Sequence, residues 1–281
     1  MFKLPAISFG TFQIAPNQTR AAVTAALQSG YRAVDTAYSY KNEAAVGQAI
    51  RQAGLTRDRV FVTSKAYINQ LGFRETSAAI DQSLAALGLD YLDLYLIHMP
   101  FGDYYGAYRA LLAAKKARKV RAIGVANFDP ARLADLGHHF GELPAVDQVE
   151  HHPFYQRSAE IAAIRKLGVT PQAWAPLAEG RHQLFTNSQL TAIAQAHGKT
   201  VAQVVLKWHQ QLGLPLVVKS LSPNHLKDNL ALDDFRLTAL EMATIAKLDL
   251  GRPSLLDINS VAEVDRLYDY LDHPVVTTLA D

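Results

Sequence analysis

Short apolar runs alternate with longer amphipathic stretches along nearly the whole chain. Residues 6–12, 33–35, 60–64, 91–97, 120–125, 146–149, 169–174 and 216–218 read as strands, most of them β-branched or aromatic. Between them, apolar residues recur at helical spacing. Residues 19–29 form one such stretch, with Val23, Ala26 and Leu27 on one face and Gly30 as the stop. Residues 42–53 follow, with Asn42 as N-cap and Gly54 after the end. Residues 74–87 carry Ile80, Leu84 and Leu87 in register before Gly88. Further helices are predicted at 105–118, from Asp129-Pro130, over 158–167 with Ser158 as cap, around 189–196, over 201–212, from Ser222-Pro223, and over 238–248, where Thr238 and Glu241 have capping-box spacing. From Leu250 onward no period is clear, and residues 250–281 are expected to form a tail or lid.

Eight strand-helix units in about 250 residues predict an α/β chain folded as one (β/α)8 TIM barrel over residues 1–281. A doubly wound open sheet is the alternative. It is disfavoured because neither G-x-G-x-x-G nor G-x-x-x-x-G-K-[ST] occurs.

The strand exits carry the chemistry. Asp35, Lys65, His98, Asn127, Gln148, Trp174 and Lys219 stand at or just beyond the C-terminal ends of successive apolar runs, the end of a barrel where active sites collect. Any one of them has a bland explanation, Asp35 as a helix cap or His98 as a satisfied core residue. Together they describe a cleft. Tyr40 follows Asp35 by five residues. A phenol with a reference pKa near 10 is a weak acid, and a neighbouring ammonium is expected to lower that value. Lys65 can supply the ammonium, Asp35 can hold it in place, and His98 can orient a substrate oxygen. Such a group protonates a developing alkoxide, as carbonyl reduction by hydride requires.

Composition narrows the field. Lys+Arg 28 against Asp+Glu 26 gives a net charge of +2, which points to neither nucleic acid nor an anionic membrane. The absence of cysteine excludes disulfides, thiolate metal sites and thiol catalysis. The first residues lack the apolar core and cleavage site of a signal peptide, and no run reaches the ~20 apolar residues of a membrane helix. His138-His139 and His151-His152 are adjacent pairs that point in different directions and lack a third ligand at suitable spacing, so no metal is expected.

Specific motifs add a resemblance that spacing alone does not reveal. Gly10-Thr11-Phe12, Tyr31 through Ala37, Tyr40 with Asn42-Glu43, Lys65, Leu96-Ile97-His98, Gly124 through Phe128, His152-Pro153, Ala175-Pro176-Leu177 and Lys219-Ser220 resemble the aldo-keto reductases in order and over nearly the full length. The short loop after Pro100 and the run Asn42 through Gly47 are most similar to bacterial 2,5-diketo-D-gluconate reductases. The resemblance implies a cytoplasmic, metal-free enzyme, expected to be a monomer, that reduces a small-molecule carbonyl with NADPH, NADH also being possible. It assigns Tyr40 as general acid, Lys65 and Asp35 as its tuning pair, and His98 as the orienting group.

The same resemblance implies cofactor contacts from Thr11, Asn127, Gln148, Trp174, Leu177, Lys219, Ser220, His225 and Asn229, and substrate walls from Phe12, Tyr67 and Met99. Trp174 stands where the family usually has a stacking tyrosine, and Ala126 replaces a serine. His225 replaces the arginine that would clamp a 2′-phosphate, so more tolerance of NADH is expected than in an arginine-bearing relative. Two other classes remain open at this point: an aldolase forming a Schiff base on Lys65, and a cofactor-binding redox-sensor subunit with slow turnover.

Overall fold

The computed structural model describes residues 3–272. Its strands are β1 (Ile7–Gly10), β2 (Ala33–Asp35), β3 (Phe61–Ala66), β4 (Leu92–Ile97), β5 (Val120–Ala126), β6 (Val146–Glu150), β7 (Thr170–Trp174) and β8 (Leu216–Val218). Every strand pairs in parallel with the next in sequence, and β8 returns to β1 through Ile7↔Leu216 and Phe9↔Val218, which closes the barrel predicted from the pattern.

The helices are α1 (Pro16–Gln28), α2 (Glu43–Gln52), α3 (Phe73–Leu87), α4 (Tyr104–Lys116), α5 (Pro130–Phe140), α6 (Ser158–Lys166), α7 (Ser188–His197), α8 (Val201–Gln211), α9 (Pro223–Asp228), α10 (Ala239–Ala246) and α11 (Val261–Asp272). Each of the first six follows the strand of the same number. The insertion between β7 and β8 carries two, α7 and α8.

Alternation along the strands separates two apolar layers. Phe9, Val34, Val62, Tyr95, Ile97, Ile123 and Val149 face the helices in the main core. Leu94, Leu96, Ala122, Ala126 and Val146 form a separate cluster with Leu4. Helix α2 lies so close to the end of α3 that a Cβ on Gly47 would come within 1.9 Å of the Leu87 carbonyl oxygen, so only glycine fits there.

Two local expectations change. Asn42 precedes α2 but its side chain makes no cap. It turns instead to bond the carbonyls of Thr11 and Ile14 and the Thr36 hydroxyl, fastening the β1 and β2 exits together. Ser158 is the first residue of α6 and not its cap, a place taken by Arg157 in a left-handed conformation. The segment from Leu250, expected as a tail or lid, runs across the barrel mouth and forms α11. The part of the expected tail beyond residue 272 lies outside the described residues.

Candidate active site

Period-two alternation delivers the polar residues to one place. Counting on from Gly10, Ala33, Thr63, Leu96, Val146, Gln172 and Val217, the same-face successors are Phe12, Asp35, Lys65, His98, Gln148, Trp174 and Lys219. They meet at the C-terminal mouth of the barrel around a cavity of about 700 Å³. Phe12, Asp35, Tyr40, His98, Gln148, Trp174 and Lys219 line it, as do Tyr67, Met99, Asn127 and Leu177.

Lys65 sits beneath this cavity, fully buried, and does not line it. Its ammonium contacts the Asp35 carboxylate, donates to the Thr36 carbonyl at 3.0 Å and reaches the Tyr40 hydroxyl at 3.4 Å. Burial pulls the Lys65 ammonium below its ordinary pKa, against the opposing pull of Asp35 and then Glu43. With its donors engaged and no path to the cavity, Lys65 is badly placed to attack a carbonyl, which argues against the aldolase alternative.

The second oxygen of Asp35 accepts from Gln148 Nε2 at 2.8 Å, and the same amide donates to Gln172 Oε1 at 2.9 Å. Both protons of the Gln148 amide are thereby committed, and its Oε1 has no bonding partner among the described residues.

The expected lowering of the Tyr40 pKa does not occur. Burial pushes the phenol well above its ordinary value, and the Asp35 charge pushes the same way. Asp35 touches Lys65 directly and opposes its pull on the phenol. Tyr40 is therefore held protonated, a proton donor by default. The His98 ring lies 5.8 Å from the Tyr40 ring, edge to face. Burial and then Lys65 drive its pKa well down, so the imidazole is neutral. Its buried Nδ1 has no hydrogen-bond partner among the described residues.

Asn127 breaks the alternation: it follows the same-face residue Ala126 and reaches the cavity through a left-handed backbone, φ 65°, which asparagine tolerates better than most residues. Its Oδ1 accepts from Trp174 Nε1 at 2.9 Å, and its Nδ2 donates to the His98 carbonyl at 3.1 Å. The amide is thus locked between β4 and β7.

Phe12, Tyr67 and Met99, read from the sequence as candidate substrate walls, line the cavity. Phe12 packs on Tyr40 with ring centroids 5.0 Å apart, and Tyr67 lies 5.5 Å from His98. Lys219 extends along the rim and donates to the Phe12 carbonyl at 3.0 Å and to Gln13 Oε1 at 3.2 Å.

Other expected contacts fall elsewhere. The Thr11 side chain is fully buried and bonds the Asp35 carbonyl, and Asn229 is buried beside the Tyr31 hydroxyl. Neither side chain lines the cavity, and Thr11 is spent on joining the β1 and β2 exits. Ser220 accepts from the Ser222 amide, and His225 is exposed on α9; both lie outside the cavity lining.

The opposite wall comes from Leu255, Leu256, Leu267 and Tyr270, with Glu263 and Arg266 at its edge. Sequence reading missed all of these. The spacing of Glu263, Leu267 and Tyr270, at steps of four and three, is the helical signal that could have found α11. The histidine pairs serve structure: His151 stacks on Trp208 and bonds His209, while His152 bonds Glu150. No group of three metal-ligating side chains occurs among the described residues, and no described helix is long and apolar enough to cross a membrane.

The sequence pattern of the aldo/keto reductase family matches residues 6–250. The chain belongs to that family. Among aldo/keto reductases, it is similar to morphine 6-dehydrogenase of Pseudomonas putida, 38% identical over 280 residues that span 93% of this chain and 95% of the relative. A solved structure described as a putative 2,5-diketo-D-gluconic acid reductase B matches with a TM-score of 0.85 and 35% identity, covering 90% of this chain and 91% of that one. An aldo-keto reductase from Bombyx mori in complex with NADP matches with a TM-score of 0.85 and 29% identity, covering 96% and 94%. The fold, the family and its nicotinamide cofactor thus agree with the sequence motifs, and so does the likeness to diketogluconate reductases.

Proposed function

We propose that this aldo/keto reductase reduces aldehydes or ketones to alcohols with NADPH, and that Tyr40 is the proton donor. The observation that carries the reading is the Tyr40 hydroxyl, set at the cavity floor 3.4 Å from the buried Lys65 ammonium. The residues around the floor fit a nicotinamide. Gln148 offers a free carbonyl oxygen to a carboxamide N–H, Trp174 offers an aromatic face, and Asn127 holds Trp174 in position. When bound, the cofactor supplies the hydride.

The protein's part is to place and protonate the oxygen. His98, neutral, donates one hydrogen bond to the carbonyl oxygen and orients it. Tyr40 donates a second, and its proton passes to that oxygen as negative charge develops there. The Lys65 ammonium lies where the resulting phenolate forms, and Asp35 prevents it from drifting away. Apolar walls from Phe12, Tyr67, Met99 and Leu256 exclude water from the reacting centre.

Lys219, Ser220 and His225 are proposed to hold the adenosine end, with Lys219 exchanging its contacts on Phe12 and Gln13 for a 2′-phosphate. The enzyme is proposed to act in the cytoplasm as a monomer on small molecules.

The test is NADPH oxidation across aldehydes, α-keto esters, diketones and keto-sugars. Turnover of at least one class supports the reading, and no oxidation with any of them would overturn it. With His225 in place of arginine, NADH and NADPH should differ by less than about a thousandfold in kcat/KM, roughly 4 kcal/mol; a larger gap would refute that part.

A further inference from the structure

Strand β6 ends in two same-face residues with different tasks. Gln148 bonds Asp35 at the catalytic floor. Glu150, two residues on, is 1% exposed, and its carboxylate does not line the cavity. Glu150 Oε1 accepts from the Ser254 amide at 2.9 Å, the Leu255 amide at 3.0 Å and His152 Nε2 at 3.0 Å, and Oε2 accepts from the Leu256 amide at 3.1 Å. The Phe154 amide donates to His152 Nδ1, which leaves Nε2 as the histidine's donor and fixes the ring toward the carboxylate.

Three consecutive backbone N–H groups converging on one buried carboxylate form a built anchor. The segment they hold, residues 253–257, is pocket wall: Leu255 and Leu256 line the cavity, and Leu256 packs on the cluster of Tyr67, Met99 and Leu267. Ser254 is gripped from its other side by Arg181 Nη1 on its carbonyl at 2.9 Å and by His182 Nε2 at its hydroxyl, 2.9 Å away. Residues before the strap lie on the same platform, since the Leu250 amide bonds the Phe154 carbonyl and the Gln156 side chain bonds the Ile245 carbonyl.

We propose that Glu150 is a positioning residue for substrate selection. It fixes the 253–257 strap to the strand that also carries Gln148, and so sets the distance between the catalytic floor and the apolar wall that grips the substrate's carbon skeleton. This rests on the carbonyl-reductase reading above. A substrate large enough to touch Leu255 and Leu256 needs the anchor, and one confined to the floor does not.

The test compares propanal with 3-phenylpropanal, which share a reacting group and differ by a phenyl ring that reaches the wall. Glu150→Gln keeps the shape but puts an amide donor opposite backbone donors. It is expected to raise KM for 3-phenylpropanal about tenfold, as loss of a charge-assisted anchor implies. Its kcat, its KM for propanal and the NADPH dissociation constant should stay within about twofold, a difference too small to reflect loss of such a bond.

Hydrogen exchange should accelerate in the peptide spanning residues 252–258 and stay unchanged in β2 to β4. Glu150→Asp, which keeps the carboxylate, should restore much of the discrimination. If Glu150→Gln does not fold, Glu150→Asp alone carries the comparison, with a smaller split of the same sign. Equal changes for both aldehydes, or unchanged exchange in the strap, would overturn the proposal while leaving the reductase reading intact. A wild-type enzyme that turns over neither aldehyde nor any other carbonyl would overturn both.

Discussion

The floor and the far wall of the cavity are made in opposite ways. The floor is assembled from strand ends, where alternation alone decides which side chains point inward, and it is fastened by buried ionic and amide contacts among Asp35, Lys65, Gln148 and Gln172. The wall comes from the strap at 253–257 and from α11, far along the chain. It is attached through backbone groups: three amides on Glu150, and the Leu267 carbonyl, which accepts from the Tyr67 hydroxyl at 3.1 Å. The neighbouring loop after β7 holds Ala175, Ala178, Glu179, His182 and Gln183 in left-handed conformations, a local strain that Asp35, Lys65, Gln148 and Gln172 do not carry and that Asn127 alone shares among the strand-exit residues named above. A rigid, generic reaction centre is thus joined to a specific but separately anchored wall.

The contrast is most sharply broken or kept by removing one charge from each region. Lys65→Met leaves the Asp35 carboxylate buried without its cation, and urea unfolding should show a loss of about 3–5 kcal/mol. Arg266→Met removes a wall charge that is 57% exposed and paired with Glu263, and should change stability by less than about 1 kcal/mol because solvent screens it. Similar losses for the two would erase the distinction between floor and wall.

A smaller effect is expected where the regions touch. Tyr67→Phe removes the hydroxyl that bonds the Leu267 carbonyl. A neutral hydrogen bond contributes about 1 kcal/mol, so KM for a substrate that contacts α11 should rise roughly fivefold. An equal fall in kcat for every substrate, large and small, would mean that Tyr67 serves the floor instead.

The smallest effect expected is that of pH. The raised Tyr40 pKa keeps the phenol protonated below its shifted value, and the depressed His98 pKa keeps the imidazole neutral above its own. Both groups therefore stay in their working forms across neutrality, and kcat/KM for reduction should be flat between about pH 6 and 9. An inflection near an ordinary histidine value would show that His98 titrates as if it were in water.

Sequence and structure differ along the same boundary. Asp35, Lys65, His98, Gln148, Trp174 and Lys219 were legible because each ends a short apolar run and strands alternate strictly. The barrel was legible because eight such runs recur with helices between them. Asn127 was read from its motif, but not the left-handed turn that aims it, since backbone sign is invisible in composition. The Tyr40 pKa was misjudged because burial of the phenol, the largest cause of its rise, does not show in the sequence, and because Asp35 was read only as holding Lys65 and not as a charge that itself raises the phenol. Thr11, Asn42 and Asn229 look like ligands or caps until their partners, twenty or more residues away, are seen. The strap and α11 stayed hidden because their apolar contacts lie across the barrel mouth and leave only a short helical repeat.

The most direct test of the central claim is single-turnover and steady-state kinetics of Tyr40→Phe, with NADPH binding measured alongside by quenching of protein fluorescence. Loss of the phenol held as a protonated acid at the cavity floor should lower kcat by roughly 10²-fold or more, the scale of general acid catalysis, with the NADPH dissociation constant unchanged. Turnover close to that of the wild type would remove Tyr40 from the reaction and contradict the account.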